Sequence, residues 1–241
     1  MTEAAKPRRE RIEALDVIRG VLILGMICDH ILYDCVSYLG VPYRFFDNPI
    51  RLTIHYIGAY LFILLSGASS SISRSNLRRG LELAAVAAGV SLVTWIGNHD
   101  AFIVFGILHC LAACTLLYAL LRPAISRIPD SIQPWLWVIL TAVTFVLTDV
   151  VRTDVPGLWI FGFPTADFFS ADYFPLLPWI FVYLFGAWAG PAIFGHRLPA
   201  WFYEIRCAWL AYIGRHSLII YLAHQPVILG VMLVIADRLT I

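Results

Sequence analysis

The stretch LDVIRGVLILGMICDHILYD, residues 15–34, is almost wholly apolar and long enough to cross a bilayer, yet it holds Asp16, Arg19, Asp29, His30 and Asp34. A transmembrane helix needs about 20 predominantly apolar residues to span ~30 Å of hydrocarbon. An ionisable side chain at its centre costs at least about 2.5–3.5 kcal/mol unless it meets a partner or a wet cavity. At ~100° per residue, Asp16, Arg19 and Asp34 all fall within about 40° of His30, so the four form one polar stripe on an otherwise apolar helix. His30 lies ~16 Å along the axis from Arg19, near the bilayer midplane, and Asp29 is turned about 100° away toward a different neighbour.

The rest of the chain fits the same solvent. Of 241 residues, 60% are hydrophobic and 14% charged, and the mean hydropathy is +0.79; this places the chain among integral membrane proteins. A net charge of +1 gives no basic excess for nucleic acid. The five cysteines, at 28, 35, 110, 114 and 207, include no CxxC pair. They read as small core hydrophobes, with neither a disulfide framework nor a metal site expected. Although the first residues are basic like the flank of a secretory signal, the apolar run after them carries ionisable side chains and no small-residue cleavage site, so it is read as a retained helix.

Apolar runs at roughly 17–39, 53–73, 81–97, 102–121, 135–151, 173–194 and 216–236 predict about seven transmembrane helices. Residues 200–213, AWFYEIRCAWLAYI, read either as an interfacial helix or as an eighth span. The expected fold is an all-α polytopic domain covering 1–241, with 1–16 as a basic cytoplasmic segment. Lys6, Arg8, Arg9, Arg11, Arg74, Arg78, Arg79, Arg122, Arg127, Arg197, Arg206 and Arg215 fall on one side of this arrangement, against Arg44, Arg51, Arg152 and Arg238 on the other. The positive-inside tendency makes the first side cytoplasmic and places the N-terminus inside a multi-pass protein of the cell (inner) membrane. DYFPLLPW, 172–179, starts the sixth span at the outer interface, where proline is tolerated because first-turn amides have no helical partner.

Within the stripe, a carboxylate one turn from an imidazole can hold it in one tautomer and raise its basicity, so His30 with Asp34 reads as a general base and its orienting group. The bland reading is an interhelical hydrogen bond at His30 and an interfacial ion pair between Asp16 and Arg19. His55, near the outer start of the second span, and His109, about two turns into the fourth, are candidates for the same cavity; the alternative is a solvated interfacial or core histidine. On the last helix Ser217, Tyr221 and His224 recur at spacings of four and three and form one face, readable as a substrate surface or as polar glue between helices. Asp172 at the outer end is solvated or receives a hydroxyl or amine of an acceptor.

RIEALDVIRGVLILGMICDH resembles the opening helix of the heparan-α-glucosaminide N-acetyltransferase catalytic-domain family, R-hydrophobic-x-x-L/V-D-x-x-R-G. The resemblance continues through LFILLSGASSSIS (61–73), FGILHCLAACTLLYAL (105–120), DYFPLLPW and GRHSLIIYLAHQP (214–226), and is similar to short bacterial members of that family. The L-D-x-x-R-G layout followed ten residues later by histidine also looks like the wider transmembrane acyltransferases, whose catalytic histidine falls on His30. The chain departs from the lysosomal enzyme, which has an asparagine at the place of His30, a luminal-loop histidine with no counterpart here, and long luminal insertions that this chain lacks.

The resemblance implies an acetyl-CoA-dependent acyltransferase acting on a carbohydrate or small-molecule hydroxyl or amine, with no metal. Asp16 and Arg19 would organise a cytoplasmic entrance, and Arg215 and His216, with Arg19, Arg78 and Arg79, would meet the phosphates of coenzyme A. Positive-inside flanks demand the same arginines in any membrane protein, which is the preferred reading for them. A midplane group reached from both sides lets a cytosolic donor serve an outer acceptor. The competing class is a proton-coupled transporter with His and Asp as relays, against which stands the lack of an inverted repeat; a non-catalytic scaffold would leave the stripe unexplained. Expected partners are lipids, an acyl-CoA donor and the acceptor, with homo-oligomerisation left open. The orientation is checked by cysteine labelling in a background without native cysteines: a cysteine at position 76 is expected to resist an impermeant reagent in intact cells, and labelling from outside overturns the topology.

Overall fold

The computed structural model of the chain describes residues 11–97 and 99–239. Among them are nine α-helices and three short 3-10 turns, and no strand beyond an isolated bridge between Phe105 and Tyr173. Lys6, Arg8 and Arg9 of the basic N-terminal segment and Asn98, between the third and fourth expected spans, lie outside the described residues, as do the side chains of Asp100 and Arg238.

The long helices are α1 (Glu13–Leu39), α2 (Pro49–Ser71), α3 (Asn76–Gly97), α4 (Ile107–Ile125), α5 (Gln133–Val150), α6 (Leu176–Phe194) and, after two short ones, α9 (Ser217–Leu239). Each overlaps one expected span. Among the described residues, α2 through α6 are long and apolar enough to cross a membrane; the apolar part of α9, Ser217–Met232, is shorter. The 200–213 stretch forms α7 (Ala200–Glu204) and α8 (Ala208–Arg215). Eight residues at ~1.5 Å each reach only ~12 Å, so neither helix is an eighth span.

The chain divides into two compact units, Met1–His55 with His196–Ile241, and Tyr56–Gly195. In the first, α1 runs beside α8 and α9. Glu13 and Asp16 sit in the first turn of α1, where a negative charge complements the exposed amides of a helix N-terminus. A Cβ added at Gly20 would collide with the backbone carbonyl of Leu210, and one added at Gly214 with the backbone carbonyl of Asp16. The two helices therefore touch backbone to backbone, a contact that only glycine permits. This is the physical content of the glycine in L-D-x-x-R-G.

The second unit has its core where α2, α4 and α6 meet, around the fully buried Ile63, Cys110, Cys114 and Tyr183. Gly67 and Gly186 bring α2 and α6 into backbone contact, at the carbonyls of Tyr183 and Leu64 respectively. That closeness lets the Tyr183 hydroxyl meet Ser70 Oγ at 2.5 Å and Thr115 Oγ1 at 2.9 Å. Interhelical side-chain hydrogen bonds in membranes contribute about 0.6 kcal/mol each on average, so this junction specifies which faces meet more than it stabilises them. Leu92, Val93, Ile96, Val138 and Val146 on α3 and α5 are exposed, as lipid-facing positions should be.

All five cysteines are free; Cys110 and Cys114 are buried, Cys35 and Cys207 partly so, and Cys28 is exposed on α1. Cys28 thus departs from the core role expected of it, because it falls on the apolar side of α1, away from the polar stripe.

Gly214→Ala is expected to lower the melting temperature sharply, because the new methyl group meets backbone atoms; overpacking that side chains can absorb already costs about 1–3 kcal/mol. Gly25→Ala, where an added Cβ meets nothing within 4 Å, leaves stability unchanged or slightly higher. A thermal melt of the detergent-purified variants checks both.

Candidate functional site

The polar stripe of α1 faces α8 and α9, so its residues meet protein from the second half of the chain. At the start of the helix, Asp16 is 2% exposed. It accepts from Arg11 through Nε at 2.5 Å and Nη2 at 3.1 Å, and from Arg19 Nη1 at 3.3 Å. Both carboxylate oxygens are engaged, and the Asp16 bond holds the Arg11 guanidinium above its ordinary pKa. Asp16 thereby acts as a staple between the segment entering α1 and the helix itself, while the guanidinium of Arg19 stays partly accessible. Arg215 is exposed at the end of α8. His216 follows it, with Nδ1 2.8 Å from the Tyr212 carbonyl and its ring against Tyr212.

Further along α1, Asp29 does turn to a separate neighbour. It accepts from Arg51 Nη1 at 2.7 Å and pairs with His55 Nδ1 at 3.1 Å. The Arg51 guanidinium also lies 3.7 Å from the centre of the Phe46 ring and donates to the Phe46 carbonyl. This cluster ties the loop between α1 and α2 to α1. His55 is therefore joined to Asp29, on a side of the helix different from His30.

His30 meets α9. Its ring lies edge-on to that of His224, with centroids 4.7 Å apart and planes at 67°. His224 is 9% exposed, and its Nδ1–H donates to the backbone carbonyl of Tyr221. A carbonyl only accepts, so the neutral imidazole carries its proton on Nδ1 and offers a lone pair on Nε2. That Nε2 is buried and has no hydrogen-bond partner among the described residues. One residue on, Gln225 donates Nε2 to both oxygens of Asp34, at 3.2 and 3.1 Å, while its own Oε1 is buried with no hydrogen-bond partner among the described residues. Asp34 is 1% exposed. The carboxylate that shares a helix face with His30 is thus turned to Gln225, and no hydrogen bond among the described residues joins the two.

Local sequence explains why α9 offers these groups. Pro226 lies inside the helix and has no amide hydrogen to give the carbonyl four residues back, which loosens the turn around 222–226. Tyr221 remains on the His224 face, its ring 5.4 Å away, and Ser217 opens the helix one turn earlier. Sequence reasoning missed Gln225: a lone glutamine carries no periodic signal, and only its place in HQP, beside His224 and before a helical proline, marks it.

Two candidates belong to the second unit and have partners there. His109 Nδ1 accepts from the Gly106 amide at 3.2 Å, so its Nε2–H donates to Ser91 Oγ at 3.0 Å, and Ser91 donates in turn to the Ile103 carbonyl at 2.7 Å. Both nitrogens of that imidazole are engaged, Nδ1 at the entry to α4 and Nε2 on Ser91 of α3. Asp172, expected to be solvated or to receive an acceptor, is partly buried, and its Oδ2 accepts from the Ile107 amide at 2.9 Å. It caps the N-terminus of α4, whose first amides have no helical partner. The adjacent Tyr173 donates to the Trp159 carbonyl at 2.6 Å, and burial pushes its pKa up to about 12.

Among the described residues no group of three or more His, Cys, Asp or Glu side chains is arranged to hold a metal ion. What the first unit does hold is an imidazole with a fixed tautomer and a bare, buried acceptor nitrogen, a second imidazole against its edge, and a buried carboxylate bonded to an amide. Such a set can take up and return one proton in a space shielded from bulk water.

Residues 11–226 match the family model described as heparan-alpha-glucosaminide N-acetyltransferase, catalytic. No curated protein and no solved structure matches the chain. The matched range runs from Arg11, which holds Asp16, through His30 and Asp34 to His224, Gln225 and Pro226 at its far end. The chain therefore belongs to the heparan-α-glucosaminide N-acetyltransferase catalytic-domain family, and so to the membrane acetyltransferases.

Proposed function

We propose that this protein transfers an acetyl group from acetyl-CoA to a hydroxyl or amine of a sugar or other small acceptor, with His30 and His224 as the groups that handle the proton. The family match supports acetyl transfer; the single observation that carries the site is the bare Nε2 of His224, set by the Tyr221 carbonyl and lying against His30. In this reading the acceptor oxygen or nitrogen attacks the thioester carbonyl carbon while its proton passes to the imidazole pair. The carbon–sulfur bond then breaks, and the proton moves to the departing thiolate. A new ester or amide and free coenzyme A result, and the histidines return neutral. Asp34 acts as a positioning residue: through Gln225 it fixes the turn of α9 that presents His224. The protein is a multi-pass component of the cell membrane with its N-terminus in the cytoplasm, and Arg19, Arg215 and His216 near that face admit the donor.

A strain lacking the protein is expected to lose one acetylated glycan or metabolite, which wild type restores. His30→Ala and His224→Ala, at matched abundance and with unchanged stabilisation by acetyl-CoA, should restore less than a hundredth of it, since a general base contributes about 10²–10⁴-fold. Near-normal acetylation by either variant per folded molecule overturns the reading. Asp34→Asn should keep part of the activity. Gln225→Leu, which strands a buried carboxylate, is expected to destabilise by about 1–3 kcal/mol as well as lower the rate, and Asp34→Asn combined with Gln225→Leu should recover some of that stability in a thermal melt.

A further inference from the structure

The second unit contains a charge without a counter-charge. Arg79, in the first turn of α3, donates Nη1 to Ser70 Oγ at 2.9 Å and Nη2 to Ser66 Oγ at 3.1 Å. Both serines are buried near the end of α2. The neighbouring Arg78 is paired with Glu82 on the surface. Arg79, partly buried, forms no ion pair among the described residues.

Its partners cannot neutralise it. Ser70 Oγ is also bonded to the Ser66 carbonyl and to Tyr183, and Tyr183 to Thr115, so the network behind the guanidinium is a set of neutral hydroxyls. Two of the five guanidinium N–H donors are directed to these serines, leaving three of the fork for another acceptor. Beside it, Asn76 is 6% exposed; its Nδ2 donates to the Ser70 carbonyl at 2.9 Å, and its Oδ1 is buried with no hydrogen-bond partner among the described residues. A buried free acceptor and a partly buried, uncompensated cation in the same first turn of α3 are an unusual pair, since each is costly alone. A single ligand answers both if it combines an anion with an adjoining hydroxyl. The first-turn amides of α3, a 22-residue helix, add to the positive potential there.

We propose that Arg79, backed by Ser66 and Ser70, binds a phosphate group, and that Asn76 Oδ1 accepts a hydroxyl of the same ligand. The planar fork matches phosphate oxygens, and a phosphate ester carries a hydroxyl nearby, either on phosphorus or on the attached sugar or glycerol. Two sources present this chemistry: the phosphates of coenzyme A and the headgroup of an anionic phospholipid such as phosphatidylglycerol. The proposal stands without the transfer reading, because the lipid source needs no acyl donor.

The test uses the purified full chain with two probes, coenzyme A in detergent and phosphatidylglycerol against phosphatidylcholine in nanodiscs, with binding read by thermal shift and native mass spectrometry. Wild type is expected to bind at least one probe, and Arg79→Gln to weaken it tenfold or more. Arg74→Gln, the same loss of charge in the exposed loop before α3, should leave the affinity unchanged. An effect on coenzyme A identifies the soluble source, and one on phosphatidylglycerol the lipid. Equal binding of both probes by wild type and Arg79→Gln, or equal weakening by Arg74→Gln, overturns the proposal. Should Arg79→Gln fail to fold, wild type decides: the bound probe is expected to shield Arg79, and not Arg74, from phenylglyoxal, and the absence of shielding by either probe overturns the assignment.

Discussion

Backbone contact between α1 and α8 is the constraint on which the first unit rests. Gly20 and Gly214 let two helices approach until the carbonyl of one lies where the other would carry a side chain. Lipid offers no hydrophobic drive for helices to associate, so close van der Waals contact is one of the few forces available. Once that contact is made, the azimuth of α1 is fixed, and its polar stripe turns inward along its whole length. Asp16 then lies beneath Arg11 and Arg19, while His30 and Asp34 reach His224 and Gln225. The chemistry of the site is therefore set by two residues that have no side chains.

The two units solve the burial of polar groups in different ways. In the second, Ser70, Tyr183 and Thr115 share protons among themselves and nearby helix carbonyls, which fixes helix faces, and the open groups, Arg79 on Ser70 and the bare Asn76 Oδ1, lie at the edge of that network. In the first, the open groups sit at the centre of the candidate site: His224 Nε2 and Gln225 Oε1 are acceptors with no hydrogen-bond donor among the described residues. Buried acceptors left bare cost stability, and a site that handles protons or holds a ligand is where such a cost is expected to persist.

The sequence carried the long helices well where they are apolar throughout: α2 through α6 are long and apolar enough to cross a membrane, whereas α1, with its ionisable stripe, and α9, with its shorter apolar part, overlap expected spans but are not among those five. It was weaker at 200–213, where aromatic and charged residues alternate and hydropathy alone does not separate two short helices from one span. The stripe on α1 was legible from helical periodicity, which reports shared faces. Periodicity does not report partners, so Asp34 was assigned to His30, four residues away, when the glutamine that binds it lies 191 positions on. His109 and Asp172 misled for a related reason. A titratable residue near a helix start looks alike whether it serves a ligand or the helix's own amides, and here both serve the amides of α4.

The first unit is assembled from residues at opposite ends of the chain, with all of Tyr56–Gly195 between them. A ribosome delivers roughly 5–20 residues per second, so α1 exists for roughly 8–34 s before α8 begins to be made. During that interval Asp34 lacks Gln225, His30 lacks His224, and Gly20 faces no second backbone. The helix that must wait longest is also the one richest in ionisable side chains among the long ones. Arg11 and Arg19, five and three residues from Asp16, are early companions of the helix, as Arg51 and His55 soon are for Asp29, which makes these local ion pairs custodians of the nascent chain as much as parts of the finished protein.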